Sequence, residues 1–105
     1  MDMPSRKRPA HHPPVERDGQ PIVIFVTVVT NNEQPLLANP AMHEAIKMAW
    51  SQSKAWHIGN NYMIMPDHVH FFCIPATWPP SSLRMWVKFW KGRVTKLTEA
   101  NVSIW

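Results

Sequence analysis

The chain has 105 residues, a net charge of +4 and one cysteine, Cys73. That length holds a single domain with a small core, one cysteine excludes an internal disulfide and suits a reducing compartment, and no apolar run approaches the roughly 18 residues of a membrane span. The N-terminus has no apolar stretch of the signal-peptide kind, so the expectation is a cytoplasmic protein with no membrane partner, whose basic balance permits a polyanion without demanding one.

Residues 1–20 mix Arg6, Lys7, Arg8 and Arg17 with Pro4, Pro9, Pro13 and Pro14. Such a segment buries too little apolar surface to offset its ordering entropy, and it reads as a disordered basic tail. His11 and His12 are read there as solvated rather than as ligands. The domain is expected over 21–105. Pro21 to Thr30 is β-branched and apolar on both parities, which predicts a central strand covered on both faces. Asn31 to Pro35 makes a loop. Asn39-Pro40 opens a helix, with Asn as the cap and Pro at the first helical position. Met42, Ala45, Ile46 and Ala49 form its apolar stripe, and it runs to about Ser53. A second strand spans Ala55 to Met65, and Gly59-Asn60-Asn61 predicts a bulge or kink within it. Pro66-Asp67 turns the chain.

The stretch that follows carries the chemistry. His68 and His70 are two residues apart in an apolar run, His68 to Ile74, that reads as an antiparallel strand returning beside the second. Residues i and i+2 of a strand point the same way, about 7 Å apart along it. The two imidazoles therefore share a face, while Val69, Phe71 and Cys73 point to the other. Such a pair can serve one divalent metal, because imidazole is a common metal ligand. Spacing by itself fits two half-buried histidines satisfied by neighbours equally well.

Ser81 or Ser82 can cap a second helix reaching roughly Glu99. Leu83, Trp86, Val87, Trp90, Val94 and Leu97 form its apolar side. Arg84, Lys88 and Lys91 recur at i, i+4 and i+7 on another side. A solvated basic face with aliphatic stems over tryptophans would look this way, and so would a phosphate-binding helix. Asn101 to Trp105 begins another apolar segment. The order β-α-β-β-α predicts an α+β fold of the ferredoxin-like split β-α-β kind, with an antiparallel sheet, helices packed on one face and a fourth strand barely begun.

Tyr62-Met-Ile-Met-Pro-Asp-His-Val-His70 resembles the "Y-x-(I/V)-M-P-N-H-x-H" signature of the HUH motif in single-strand DNA transposases. The likeness is to the REP-associated tyrosine transposases and their insertion-sequence relatives, and it covers residues 22–105. Asp67 stands where Asn is usual, a departure that does not touch the two histidines. The resemblance implies the ferredoxin-like fold, a catalytic Mg²⁺ or Mn²⁺ on His68 and His70, and DNA contact through Arg84, Lys88 and Lys91. It implies a single-stranded or hairpin DNA partner, DNA transposition through a phosphotyrosine intermediate, and a monomer or a homodimer. The nucleophilic tyrosine is expected on a helix beyond residue 105. Tyr62, the chain's one tyrosine, matches an aromatic of the signature and is read as structural, so the 105 residues by themselves are expected not to cleave DNA. Two alternatives remain: a non-catalytic DNA-binding remnant of such a transposase, and a small structural or metal-binding module.

Overall fold

A computed structural model describes residues 22–105; the tail expected over 1–20 lies outside the described residues. Along the chain come β1 (Ile24–Val29), a 3-10 turn (Asn31–Glu33), α1 (Pro40–Ser51), β2 (Trp56–Ile64), β3 (His68–Pro75) and α2 (Leu83–Thr98). Helix α1 starts where Asn39 Oδ1 accepts the Met42 N–H at 2.8 Å, which satisfies a first-turn donor that has no partner inside the helix. Pro40 occupies the first helical position, where its missing N–H costs nothing. Ser82 Oγ caps α2 in the same way, accepting the Met85 N–H at 3.2 Å. Among the described residues no helix is long and apolar enough to cross a membrane.

The sheet is antiparallel with strand order β1-β3-β2. Strand β3 therefore pairs on both edges, from Ile24↔Cys73 to Val29↔His68 with β1 and from Trp56↔Pro75 to Ile64↔Val69 with β2. The register of β2 shifts between Ile58 and Tyr62, at the expected Gly59-Asn60-Asn61 irregularity. Buried residues of both helices form one cluster with Val28, Val69, Phe71 and Cys73, so both helices cover the same face of the sheet. This is an α+β fold, the split β-α-β arrangement with three strands described.

One expectation is corrected. β1 is not a central strand covered on both faces; β3 holds the centre, and the outward parity of β1, Phe25, Thr27 and Val29, is exposed. An apolar residue on that parity does not require a covering layer, because cross-strand neighbours shelter it in part. Phe25 packs on Phe72 at 5.0 Å between centroids and stacks on His70 at 5.7 Å.

The core of this small domain is aromatic. Trp90 is fully buried and meets Trp50, Phe71, Trp86 and Trp105 edge-on, with ring centroids 5.5–6.2 Å apart. Edge-to-face pairs of this kind add stabilisation beyond area burial. The indole N–H groups of Trp50, Trp86 and Trp90 are buried without a hydrogen-bond partner among the described residues, a cost the packing must exceed. Trp90→Ala is expected to destabilise the protein by about 3–5 kcal/mol. Trp90→Phe should cost distinctly less, because it keeps a ring and removes an unpartnered donor. Denaturant unfolding of the two variants checks the order.

Cys73 sits on the core side of β3, and burial pushes its thiol up from 9.0 to about 12. The folded protein thus keeps a proton that the unfolded chain releases at lower pH. The stabilisation this represents is complete below pH 9 and is lost as pH rises toward 12. Between those values the wild-type unfolding midpoint should fall more steeply than that of Cys73→Ala, measured by denaturant titration at each pH; parallel curves would contradict it.

Candidate functional site

The alternation of β3 separates two environments. Val69, Phe71 and Cys73 face the helices and are buried, whereas His68 and His70 face the side that no helix among the described residues covers and are half-buried. The expected same-face pair is present, and the rings lean toward each other, with centroids 4.6 Å apart in an edge-on arrangement. That separation puts both rings within reach of one ion, which binds an imidazole nitrogen at about 2.1 Å.

Each ring meets a neighbour at Nδ1. His68 Nδ1 lies 2.7 Å from Asp67 Oδ1, and His70 Nδ1 lies 3.5 Å from Thr27 Oγ1 on the adjacent strand. Thr27 sits directly opposite His70 in the β1–β3 register. With both Nδ1 atoms facing protein oxygens, the Nε2 atoms are the ones left for a ligand. The residues present fit a divalent cation as a two-imidazole pair; among the described residues no group of three or more His, Cys, Asp or Glu side chains assembles around one point. Water would complete the shell of such an ion, as hard cations commonly require.

The turn before β3 is tied down on several sides. The Asp67 carbonyl accepts from the Thr30 N–H at 3.0 Å and from Thr30 Oγ1 at 3.1 Å. The Pro66 carbonyl accepts from the Leu37 N–H at 2.9 Å, and the Met65 N–H donates to the His68 carbonyl at 2.8 Å. Thr30 is buried although polar, and its hydroxyl also reaches the Gln34 carbonyl at 2.7 Å. Thr30 directly follows β1, so the first strand anchors the turn that delivers His68.

The remaining candidates lie across the sheet. Arg84 and Lys88 are exposed and Lys91 half-buried on α2, in the helical layer opposite the histidine face. Arg93, which also belongs to this basic helix, donates through Nε to Gln52 Oε1 at 2.8 Å and ties α2 to the end of α1. Tyr62 pairs in register with the core-facing Phe71 and packs edge-on against Trp50 at 5.3 Å. Its ring is therefore on the helical side, away from His68 and His70. It borders an open cleft of about 560 Å³ shared with Asn39, His43, Glu44 and Lys47. The tryptophans, all within the described residues, are mostly core. Only Trp78 is largely exposed. The open face offers Phe25, Phe72 and Met63 instead, each about half exposed.

Two contributors to this site escape a reading of the sequence. Asp67 is visible as the residue beside His68, but nothing in the spacing says that its carboxylate turns back to Nδ1. Thr27 becomes a neighbour of His70 only through strand register.

No family model matches the sequence, and no curated protein matches it. Among solved structures, the fold is similar to that of a REP-associated tyrosine transposase bound to a REP hairpin, with a TM-score of 0.60 and 20% identity. The match covers 79% of this chain and 50% of that one, so this chain spans half the length of the transposase it resembles. At that identity the likeness establishes a shared transposase-like fold.

Proposed function

We propose that this protein is a transposase-like DNA-binding protein that engages single-stranded or hairpin DNA and presents a divalent ion, Mg²⁺ or Mn²⁺, on His68 and His70. The observation that carries this reading is the histidine pair itself. Two imidazoles share the open face of the sheet, with their Nδ1 atoms turned to Asp67 and Thr27. The fold likeness to a transposase bound to a DNA hairpin supports the choice of nucleic acid. An ion held there would polarise a phosphodiester and stabilise charge developing on it. Around it, exposed Phe25 and Phe72 offer π-faces on which unpaired bases can stack, at about 1–3 kcal/mol per base. Arg84, Lys88 and Lys91 supply phosphate attraction on the far side, so a DNA that engages both sets passes round an edge of the sheet.

A second reading, binding without cleavage, is favoured by the position of Tyr62. A phosphotyrosyl step needs its phenolate in line with the metal-bound phosphate, and the chain's one tyrosine lies on the other side of the sheet. Phosphotyrosyl chemistry at the histidine face would take its tyrosine from outside these 105 residues.

Two measurements test the proposal. Calorimetric titration with Mn²⁺ should show weak binding, tighter than Mg²⁺, that is lost in the His68→Ala/His70→Ala protein; equal binding by both proteins removes the metal site. Hairpin-DNA affinity should fall steeply with salt through counterion release. The Arg84→Ala/Lys88→Ala/Lys91→Ala protein should bind more weakly and show a shallower salt slope, by up to about 0.7 per lost single-strand phosphate contact. An unchanged slope would remove α2 from the interface.

A further inference from the structure

The carboxylate of Asp67 is held in a way that an ordinary surface acid is not. Its own backbone carbonyl accepts from the N–H of buried Thr30 at 3.0 Å and shares the single Thr30 hydroxyl proton with the Gln34 carbonyl, and the neighbouring Pro66 carbonyl accepts from the Leu37 N–H. The turn can therefore neither swing nor slide without breaking several hydrogen bonds. From that fixed base, Oδ1 reaches His68 Nδ1 at 2.7 Å, the short distance of a charge-assisted hydrogen bond.

We propose that Asp67 is a positioning residue for the cation site: its carboxylate accepts the Nδ1–H of His68, sets that tautomer and turns the Nε2 lone pair outward to a divalent metal. The inference rests on reading His68 and His70 as the metal pair, and it adds to that pair the side chain that orients it. The physical logic is that a neutral imidazole carries one ring proton, and the hydrogen bond made by one nitrogen decides which nitrogen can ligate. A carboxylate only accepts, so it selects Nδ1–H. Thr27 cannot do the same for His70 with equal force. Its hydroxyl is 3.5 Å away and exposed, at the outer limit of a hydrogen bond. The two histidines are thus unequal, with His68 fixed and His70 free to adjust to the ion.

The test uses the full chain and its Asp67→Asn and Asp67→Ala variants. The amide oxygen of Asn can still accept from Nδ1–H, so Asp67→Asn removes charge and keeps the hydrogen bond, whereas Asp67→Ala removes both. Nitrogen-15 NMR of the metal-free proteins reads the tautomer directly. The His68 Nδ1–H form is expected in wild type and Asp67→Asn, and a shift toward Nε2–H in Asp67→Ala. Mn²⁺ titration should show Asp67→Asn within a few-fold of wild type and Asp67→Ala about 10-fold or more weaker, the usual cost of losing an orienting partner. Equal weakening in both variants would mean that only the charge matters and would overturn the positioning role, as would full Mn²⁺ affinity in Asp67→Ala. Failure of the metal reading looks different. Wild type would bind no Mn²⁺ while NMR still reported the Nδ1–H tautomer, and that result overturns the cation-positioning role together with the metal site.

Discussion

Strand β3 has two neighbours and two faces, and nearly everything else in the domain follows from how it satisfies all four. Its backbone is paired on both edges, so it cannot slide without breaking two ladders. Its odd-numbered residues from Val69 to Cys73 are buried against the helices. Its even-numbered residues, beginning with His68 and His70, occupy the open side. A slip of one residue would drive both imidazoles into the apolar layer and expose Phe71 and Cys73. Imidazoles unpartnered in that layer would cost far more than any local gain. The register that protects the core is therefore the same register that displays the histidine pair.

That arrangement also divides the molecule chemically. The open face of the sheet has the nitrogens, Phe25 and Phe72, with no lysine or arginine in the three strands. Among the described residues the cationic side chains are concentrated on α2, beyond the sheet. On the proposed function, a polyanion would be attracted from one side and a cation received on the other. Tyr62 belongs with the helices, through Trp50 and its pairing with Phe71. The side of the sheet on which it lies, rather than its distance along the chain, separates it from the histidines.

A domain this small needs large side chains in its centre, and Trp90 with its ring of aromatic neighbours supplies them. The same packing accounts for the last described residues. Ile104 is buried, its carbonyl accepts from the Asn31 N–H at 2.8 Å, and Trp105 Nε1 donates to the Lys91 carbonyl at 3.2 Å. The end of β1 and the middle of α2 are thereby joined through the final residues, next to the turn that holds Asp67. Thr30, three residues after the Thr27 that faces His70, is the polar residue buried at that junction.

Much of this was legible in the residues themselves. Asn39-Pro40 and Ser82 announce helix starts because a side-chain oxygen answers an orphan backbone donor, a purely local event. The Gly59-Asn60-Asn61 interruption and the alternation of His68 to Ile74 are equally local, and the alternation places both histidines on one face whatever surrounds them. What covers each face is not local. The apolar run of β1 has the composition of a buried central strand, yet the sheet puts β3 in the centre and leaves Phe25 and Val29 against solvent. Six tryptophans in one chain do not say which are core and which are surface; packing decided that. Asp67 is adjacent to His68 in any conformation, but its carboxylate faces Nδ1 only because Thr30 and Leu37, distant in sequence, fix the turn. Local hydrogen bonding and periodicity follow from neighbouring residues, whereas strand order, layer coverage and the neighbours of a site depend on contacts between segments that meet only in the folded chain.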